Sequence, residues 1–167
     1  MSYSPHVAIA GATGAVGEEM LKCLEQRNFP VGKISLLASA RSAGRKILFR
    51  GEEHVVQELG HDSFKGVDIA LFSAGGALSL EYGPSAAKVG AVVIDNSSAF
   101  RMDPEVPLVL PEVNPAAAQT RPKGIIANPN CTTIITMMGL NPLHQKFGLR
   151  SIIASSYQAV SGSGQAG

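Results

Sequence analysis

Cysteine is scarce in this sequence: of 167 residues only Cys23 and Cys131 carry a thiol. They allow at most one disulfide, and neither stands in a CxxC or Cys/His ligand spacing, which argues against a structural metal. Long apolar runs are missing too. No stretch approaches a bilayer span, and the opening MSYSPHVAIAGATG has neither a basic n-region nor a signal-length apolar segment. Charge of one sign is also missing, since 14 Lys and Arg are scattered among 13 Asp and Glu for a formal net charge of +1. That balance argues against nucleic acid and anionic membrane as partners. The expectation is a soluble, cytoplasmic protein acting on a small molecule.

What is present is a chain that can bury a core. Hydrophobic residues make up 45% and charged residues 16%, which excludes a disordered or collagen-like chain. Short runs rich in Val and Ile alternate with helix-like segments, the pattern of βαβ units and a parallel sheet. HVAIA (6–10) reads as a buried strand. After a glycine turn, Val16, Met20, Leu21 and Leu24 recur at helical spacing, Pro30 and Gly32 end the helix, and KISLLAS (33–39) is the next strand. HVVQEL, IALFSAG, AVVIDNSS and GIIA are further strands. A helix is predicted over 77–89, kinked or split at Pro84.

Six of the ten prolines lie between Asp103 and Asn130, which predicts an irregular connection there. A helix from Cys131 to about Phe147, broken or bent near Pro142, and a strand SIIASSYQAV (151–160) follow. The glycine-rich ending SGSGQAG has nothing to hold its far side, so the sequence is expected to stop inside a longer protein. The fold expected is α/β, a Rossmann-like, mostly parallel sheet flanked by helices over 1–127, followed over 128–167 by the start of an α+β catalytic and dimerisation domain.

Three stretches carry candidate chemistry. In GATGAVG, Gly11, Gly14 and Gly17 stand three apart between a strand and a helix, where a dinucleotide pyrophosphate can approach the backbone and meet the helix N-terminus. The alternative is a tight turn needing glycine for packing. An NAD site usually has Asp or Glu near the end of the second strand; here Ser39, Arg41 and Ser42 offer hydroxyls and a guanidinium, which suit a 2′-phosphate and therefore NADP. A solvated basic loop is the other reading. SAGG (73–76) ends a later strand on the cofactor edge of such a sheet.

In ANPNCTTII, Asn130 as a cap would place Cys131 in the first turn of a helix, whose positive end favours thiolate over thiol. Inert filler is the alternative, and Cys23, amid Leu21 and Leu24, fits it. His144 lies 13 residues further along the same helix, roughly 20 Å away, too far to serve Cys131 as a base. His6, His54 and His61 read as surface or edge residues. In DNSSAFR, Arg101 beside Asn96, Ser97 and Ser98 could hold a phosphate or carboxylate, or form only a solvated turn.

Taken together, GATGAVG, LLASARSAG, DNSSAFRM, VPLVLPEVN, ANPNCTT and YQAVSGSGQAG resemble, in this order and over essentially the whole chain, the bacterial aspartate-semialdehyde dehydrogenases. The resemblance implies NADP-dependent reductive dephosphorylation of L-aspartyl 4-phosphate to L-aspartate 4-semialdehyde, on the route to lysine, threonine and methionine. It implies Cys131 as nucleophile, Gln158 as the residue that positions the acyl group, Arg101 with Ser98 as phosphate ligands, and Asn130 as the asparagine beside the nucleophile. Cofactor contacts are implied for Gly11, Thr13, Gly14, Ala15, Val16, Gly17, Ser39, Arg41, Ser42, Ser73, Ala74, Gly75, Ser161 and Gly162, and no metal.

Thr132 and Ser163 depart from the residues commoner in the family, Ser and Ala, without touching the chemistry. The general-base histidine, the arginine for the substrate carboxylate and much of the dimer interface would lie past Gly167. The 167 residues alone are therefore expected to be inactive, and the full-length protein to be a homodimer or dimer of dimers. Rival readings are an enzyme like N-acetyl-γ-glutamyl-phosphate reductase and a catalytically silent NADP-binding module.

Overall fold

The computed structural model describes residues 3–157. Its main sheet has six strands, all parallel, in the order β5-β2-β1-β6-β7-β8. These are β1 (His6–Ala10), β2 (Lys33–Ala38), β5 (Gln57–Glu58), β6 (Ile69–Phe72), β7 (Val92–Asp95) and β8 (Ile125–Ala127). The order reverses at β1, with β2 on one side and β6 on the other, which is the strand arrangement of a dinucleotide-binding fold and puts its switch point between the ends of β1 and β6.

The centre of the sheet is buried on both faces, and so its strands read as apolar runs. Helix α1 (Ala15–Gln26) packs Leu21, Met20 and Leu24 onto one face, over Ile9, Leu36 and Ala38. Helix α2 (Gly76–Lys88) covers the other face, where Ala8, Ala10, Phe64, Phe72, Val93 and Ile125 form the larger core. Phe64 and Phe72 stack there with centroids 5.5 Å apart. Pro84 lies on the exposed side of α2, so the backbone bond it removes faces water, and the helix runs on unsplit.

Three expectations fail. HVVQEL is not one strand. Its first two residues end β4 (Glu52–Val55), which forms an antiparallel hairpin with β3 (Lys46–Phe49), turning at Arg50 and Gly51, which both have positive φ (52° and 81°). Val56 is buried between the hairpin and β5 and exchanges backbone bonds with Arg45 and Gly44, so the chain swings there from the hairpin to the edge of the main sheet.

Cys23 is exposed rather than buried. Two positions from Leu21 is about 200° around a helix, so the thiol turns to solvent while Leu21 and Leu24 turn inward. The predicted strand 151–160 is not formed over 151–157, which is exposed throughout; a strand needs a partner row of backbone groups, and among the described residues none pairs with it.

The proline-rich connection is irregular as predicted, with one short 3-10 turn (Pro115–Gln119) and a single bridge from Leu108 to Ala127. Helix α3 (Cys131–Phe147) is continuous through Pro142 and buries none of its residues; Ile135 and Phe147 are 75% and 70% exposed. Among the described residues no helix is long and apolar enough to cross a membrane.

Candidate active site

In a parallel sheet each following helix starts at a strand's carboxyl end, so α1, α2 and α3 all begin on one edge, after β1, β6 and β8. Each presents there the positive end of its dipole and its unpaired first N–H groups. In α1 the first intrahelical bond runs from Glu18 N–H to Gly14 O, leaving the N–H groups of Ala15, Val16 and Gly17 without a partner in the helix.

The three glycines of the turn have different reasons to be glycine. Gly11 has φ +90°, and a Cβ there would lie 2.7 Å from the Ser73 carbonyl carbon. The turn thus presses against the end of β6, and Gly11 and Ala12 both donate to Leu37 O of β2, at 2.8 and 3.1 Å. Gly17 is helical, but its Cβ would stand 2.8 Å from Ala12 Cα and well inside contact with Gly11 O. Gly14, in extended backbone as the N-cap (φ −86°), has only Gly11 O near its absent Cβ, at 3.4 Å. Two glycines are thus demanded by packing, and the middle one stands at an opening onto the α1 N-terminus. That combination is a glycine cradle beside unpaired helix N–H groups, whose chemistry suits an anion such as a pyrophosphate.

The structure brings the other cofactor candidates to the same edge. Ser73, Ala74 and Gly75 join β6 to α2, with Gly75 as N-cap at φ +91°. Ser39 precedes the 3-10 turn Ala40–Ser42 at the end of β2. Ser39 and Arg41 are exposed, Ser42 is half-buried, and among the described residues no hydrogen bond or ion pair engages the Arg41 guanidinium. No residue of β2 or of the turn after it (33–44) is acidic, although Glu58 of β5 pairs in register with Ala38 beside them. Thr13, Ala15 and Val16 lie in the glycine turn and the first turn of α1.

On the far side of the edge, Asn130 caps α3, its Oδ1 accepting from Thr132 N–H at 2.9 Å. Cys131 is the first residue of α3 and is exposed. Strands β1 and β8 are three places apart, so their carboxyl ends, which lead to the glycine turn and to Cys131, stand about 14 Å apart along the edge. His144 sits in the last turn of α3, where its Nδ1 accepts from Leu149 N–H at 3.2 Å. Arg101 is part-buried: Nε donates to Asn128 O at 2.9 Å and Nη2 to Asn96 O at 3.2 Å. Ser98 is exposed and makes no hydrogen bond among the described residues; Ser97 turns inward instead. Gln158, Ser161 and Gly162 lie outside the described residues. Among the described residues no cluster of three His, Cys, Asp or Glu side chains is placed to hold a metal.

Residues 6–121 match the model of the semialdehyde dehydrogenase NAD binding domain. The chain belongs to the semialdehyde dehydrogenase family. Within that family it is 57% identical over 164 residues to the aspartate-semialdehyde dehydrogenase of Bacillus subtilis, a match covering 98% of this chain and 47% of the relative. Its structure superposes with a TM-score of 0.95 and 51% identity on aspartate semialdehyde dehydrogenase II from Vibrio cholerae complexed with ASA, over 99% of this chain and 49% of that one. It also superposes, at a TM-score of 0.72 and 27% identity, on the Candida albicans aspartate semialdehyde dehydrogenase with NADP, over 88% of this chain and 48% of that one. The chain thus spans about half the length of these homologues and contains the family's NAD(P)-binding part.

Sequence reasoning missed Asp95, Ser79 and Asn128. Asp95 and Ser79 are fully buried, with Asp95 Oδ1 accepting from Ser79 Oγ at 2.6 Å and Oδ2 from Ser97 Oγ at 2.7 Å. Asn128 Nδ2 donates to Asn96 Oδ1 at 2.6 Å, joining the ends of β7 and β8. A carboxylate closing an otherwise apolar strand, VVID, was the signal available.

Proposed function

We propose that this chain supplies the cofactor cradle and the nucleophile of an NADP-dependent aspartate-semialdehyde dehydrogenase. The reaction is reductive dephosphorylation of L-aspartyl 4-phosphate to L-aspartate 4-semialdehyde and phosphate, in the cytoplasm and on the route to lysine, threonine and methionine. The observation that carries the reading is an exposed thiol at the first residue of α3, on the same sheet edge as a glycine cradle.

Cys131 sulfur attacks the acyl phosphate carbon, the C–O bond to phosphate breaks, and a thioester on Cys131 results; one hard step becomes two easier ones. The α3 N-terminus favours the negative charge on which that attack depends. Arg101 neutralises the departing phosphate, with Ser98 beside it, while Asn130 and Gln158 orient the acyl group. NADPH, when bound, supplies the hydride that reduces the thioester. The resulting hemithioacetal then releases aldehyde and returns the thiol.

Gly11, Gly14, Gly17 and the first N–H groups of α1 would hold the pyrophosphate, with Thr13, Ala15 and Val16 around it. Ser39, Arg41 and Ser42 would hold the 2′-phosphate, and Ser73, Ala74, Gly75, Ser161 and Gly162 the remainder of the dinucleotide. The absence of an acidic residue at the end of β2 supports NADP over NAD.

The domain boundary falls at 127/128. Residues 128–167 begin a catalytic and dimerisation domain, in keeping with the apolar side chains that α3 exposes, and the complete enzyme is a homodimer or dimer of dimers. The 167 residues alone have no turnover. The test is a substrate panel on the complete enzyme, read as phosphate-dependent NADP+ reduction. L-aspartate 4-semialdehyde is expected to be the preferred aldehyde; preference for N-acetyl-glutamate semialdehyde, or silence with every aldehyde, overturns the proposal.

A further inference from the structure

Arg101 cannot choose its own position, because the loop that carries it has no regular structure. What fixes the loop is a buried carboxylate. Asp95, at the carboxyl end of β7, is 0% exposed and has no cationic partner among the described residues; both oxygens are satisfied by serine hydroxyls, Ser79 from the first turns of α2 and Ser97 from the loop.

Burying a carboxylate is costly unless it is hydrogen-bonded. A carboxylate is also acceptor-only, so both hydroxyls must donate to it. The donated proton leaves the lone pairs of Ser97 Oγ facing outward, where they take the Ala99 N–H at 3.0 Å. The turn 97–99 is thereby set in one orientation, two residues before Arg101.

A second set of bonds closes the clasp. Asn128 N–H donates to Asp95 O at 2.8 Å, Asn128 Nδ2 to Asn96 Oδ1, and the Nε/Nη2 side of Arg101 spans the carbonyls of Asn128 and Asn96. A guanidinium has five N–H groups; among the described residues two are used, and the others include the parallel pair on its Nη1/Nη2 edge, the geometry that takes two oxygens of one oxyanion. Asn128 lies three residues before Cys131, so the same clasp references the free edge of Arg101 to the start of α3.

We propose that Asp95 is a positioning residue, acting through Ser97 to aim the free edge of Arg101 at the phosphate of the substrate. The inference rests on Arg101 being the phosphate ligand. The experiment uses the 167-residue protein and inorganic phosphate, observing the Arg101 Nε–H by 15N–1H NMR, with NADP+ affinity measured alongside as a check on the fold.

In the wild type this proton should be protected from exchange, and its resonance should move on phosphate titration. Ser97→Ala should speed its exchange at least tenfold and weaken phosphate at least fivefold, with NADP+ affinity changed less than twofold. Ser97→Thr, which keeps the hydroxyl, should restore both, and Asp95→Asn should reproduce the loss in part, because one oxygen acceptor remains. Unchanged Arg101 protection in Ser97→Ala overturns the positioning role. Protection lost on substitution but no phosphate response in the wild type overturns instead the assignment of Arg101 to phosphate, and with it the purpose given to Asp95. A Ser97→Ala protein that loses NADP+ binding as well, with no rescue by threonine, makes Ser97 a structural residue only and also overturns the proposal.

Discussion

Alanine at Gly14 and alanine at Gly17 should have opposite consequences, although both residues belong to one turn. At Gly17 the new Cβ meets backbone only, 2.8 Å from Ala12 Cα and closer still to Gly11 O. Relief requires the turn to move by about 1 Å, and overpacking of this kind costs about 3 kcal/mol at the upper end of its usual range. Replacing a helical glycine by alanine returns about 1 kcal/mol. The balance is a loss of about 2 kcal/mol, equivalent to a fall in Tm of about 4–8 °C for a chain of this length.

At Gly14 the φ of −86° suits any residue and the nearest atom is 3.4 Å from the added methyl. Losing glycine at the N-cap costs about 0.5–1 kcal/mol, offset in part by a less flexible unfolded chain. Its Tm should move by less than about 3 °C. The methyl does, however, fill the mouth of the cradle, and NADP+ affinity should fall at least tenfold, about 1.4 kcal/mol. Differential scanning calorimetry and isothermal titration with NADP+ read the two effects. A Gly14→Ala protein with wild-type Tm and wild-type NADP+ affinity would show that the turn needs glycine for packing alone.

Arg41→Ala should weaken NADP+ about tenfold, the low end for a hydrogen bond to a charged group, and leave NAD+ within twofold; equal losses for both cofactors would remove the 2′-phosphate role. Cys131 should be alkylated by iodoacetamide faster than Cys23 at neutral pH, because both are exposed but stand at opposite ends of their helices, Cys131 in the first turn of α3 and Cys23 in the last turn of α1. Equal rates by peptide mass spectrometry contradict this. Asp103 is held below its ordinary value of 3.8 first by the hydrogen bond from Lys123 and then by the Glu105 N–H. A carboxyl lowered by folding stabilises fully above its unfolded value and loses that contribution as pH falls through its folded value. Lys123→Met should therefore flatten the loss of stability below about pH 4, measured by urea unfolding, and an unchanged acid limb would contradict the pairing.

The parts of this molecule that rest on local pattern were legible, and those that rest on long-range bonds were not. Strands β1, β2, β6, β7 and β8 could be read because burial on both faces makes each a short Val/Ile/Leu/Ala run bounded by turn residues. The α3 start could be read because Asn130 caps with its own side chain. The β3–β4 hairpin was missed, although Arg50-Gly51 closes it in two residues, because the expected βαβ rhythm left no place for an antiparallel pair.

Cys23 was misread by neighbourhood where helical angle decides. Among the serines of DNSS the sequence could not tell which faces inward, since that depends on Ser79, sixteen residues before Asp95. The Asn96–Asn128 bond spans 32 residues, beyond any local signal.

Protection from alkylation decides whether the glycine cradle and the sulfur of Cys131 serve one site. With saturating NADP+, modification of Cys131 by iodoacetamide should slow several-fold while Cys23 reacts at its original rate. If NADP+ binds and Cys131 reacts just as fast, or if both thiols slow together, the cradle and the nucleophile do not share a site.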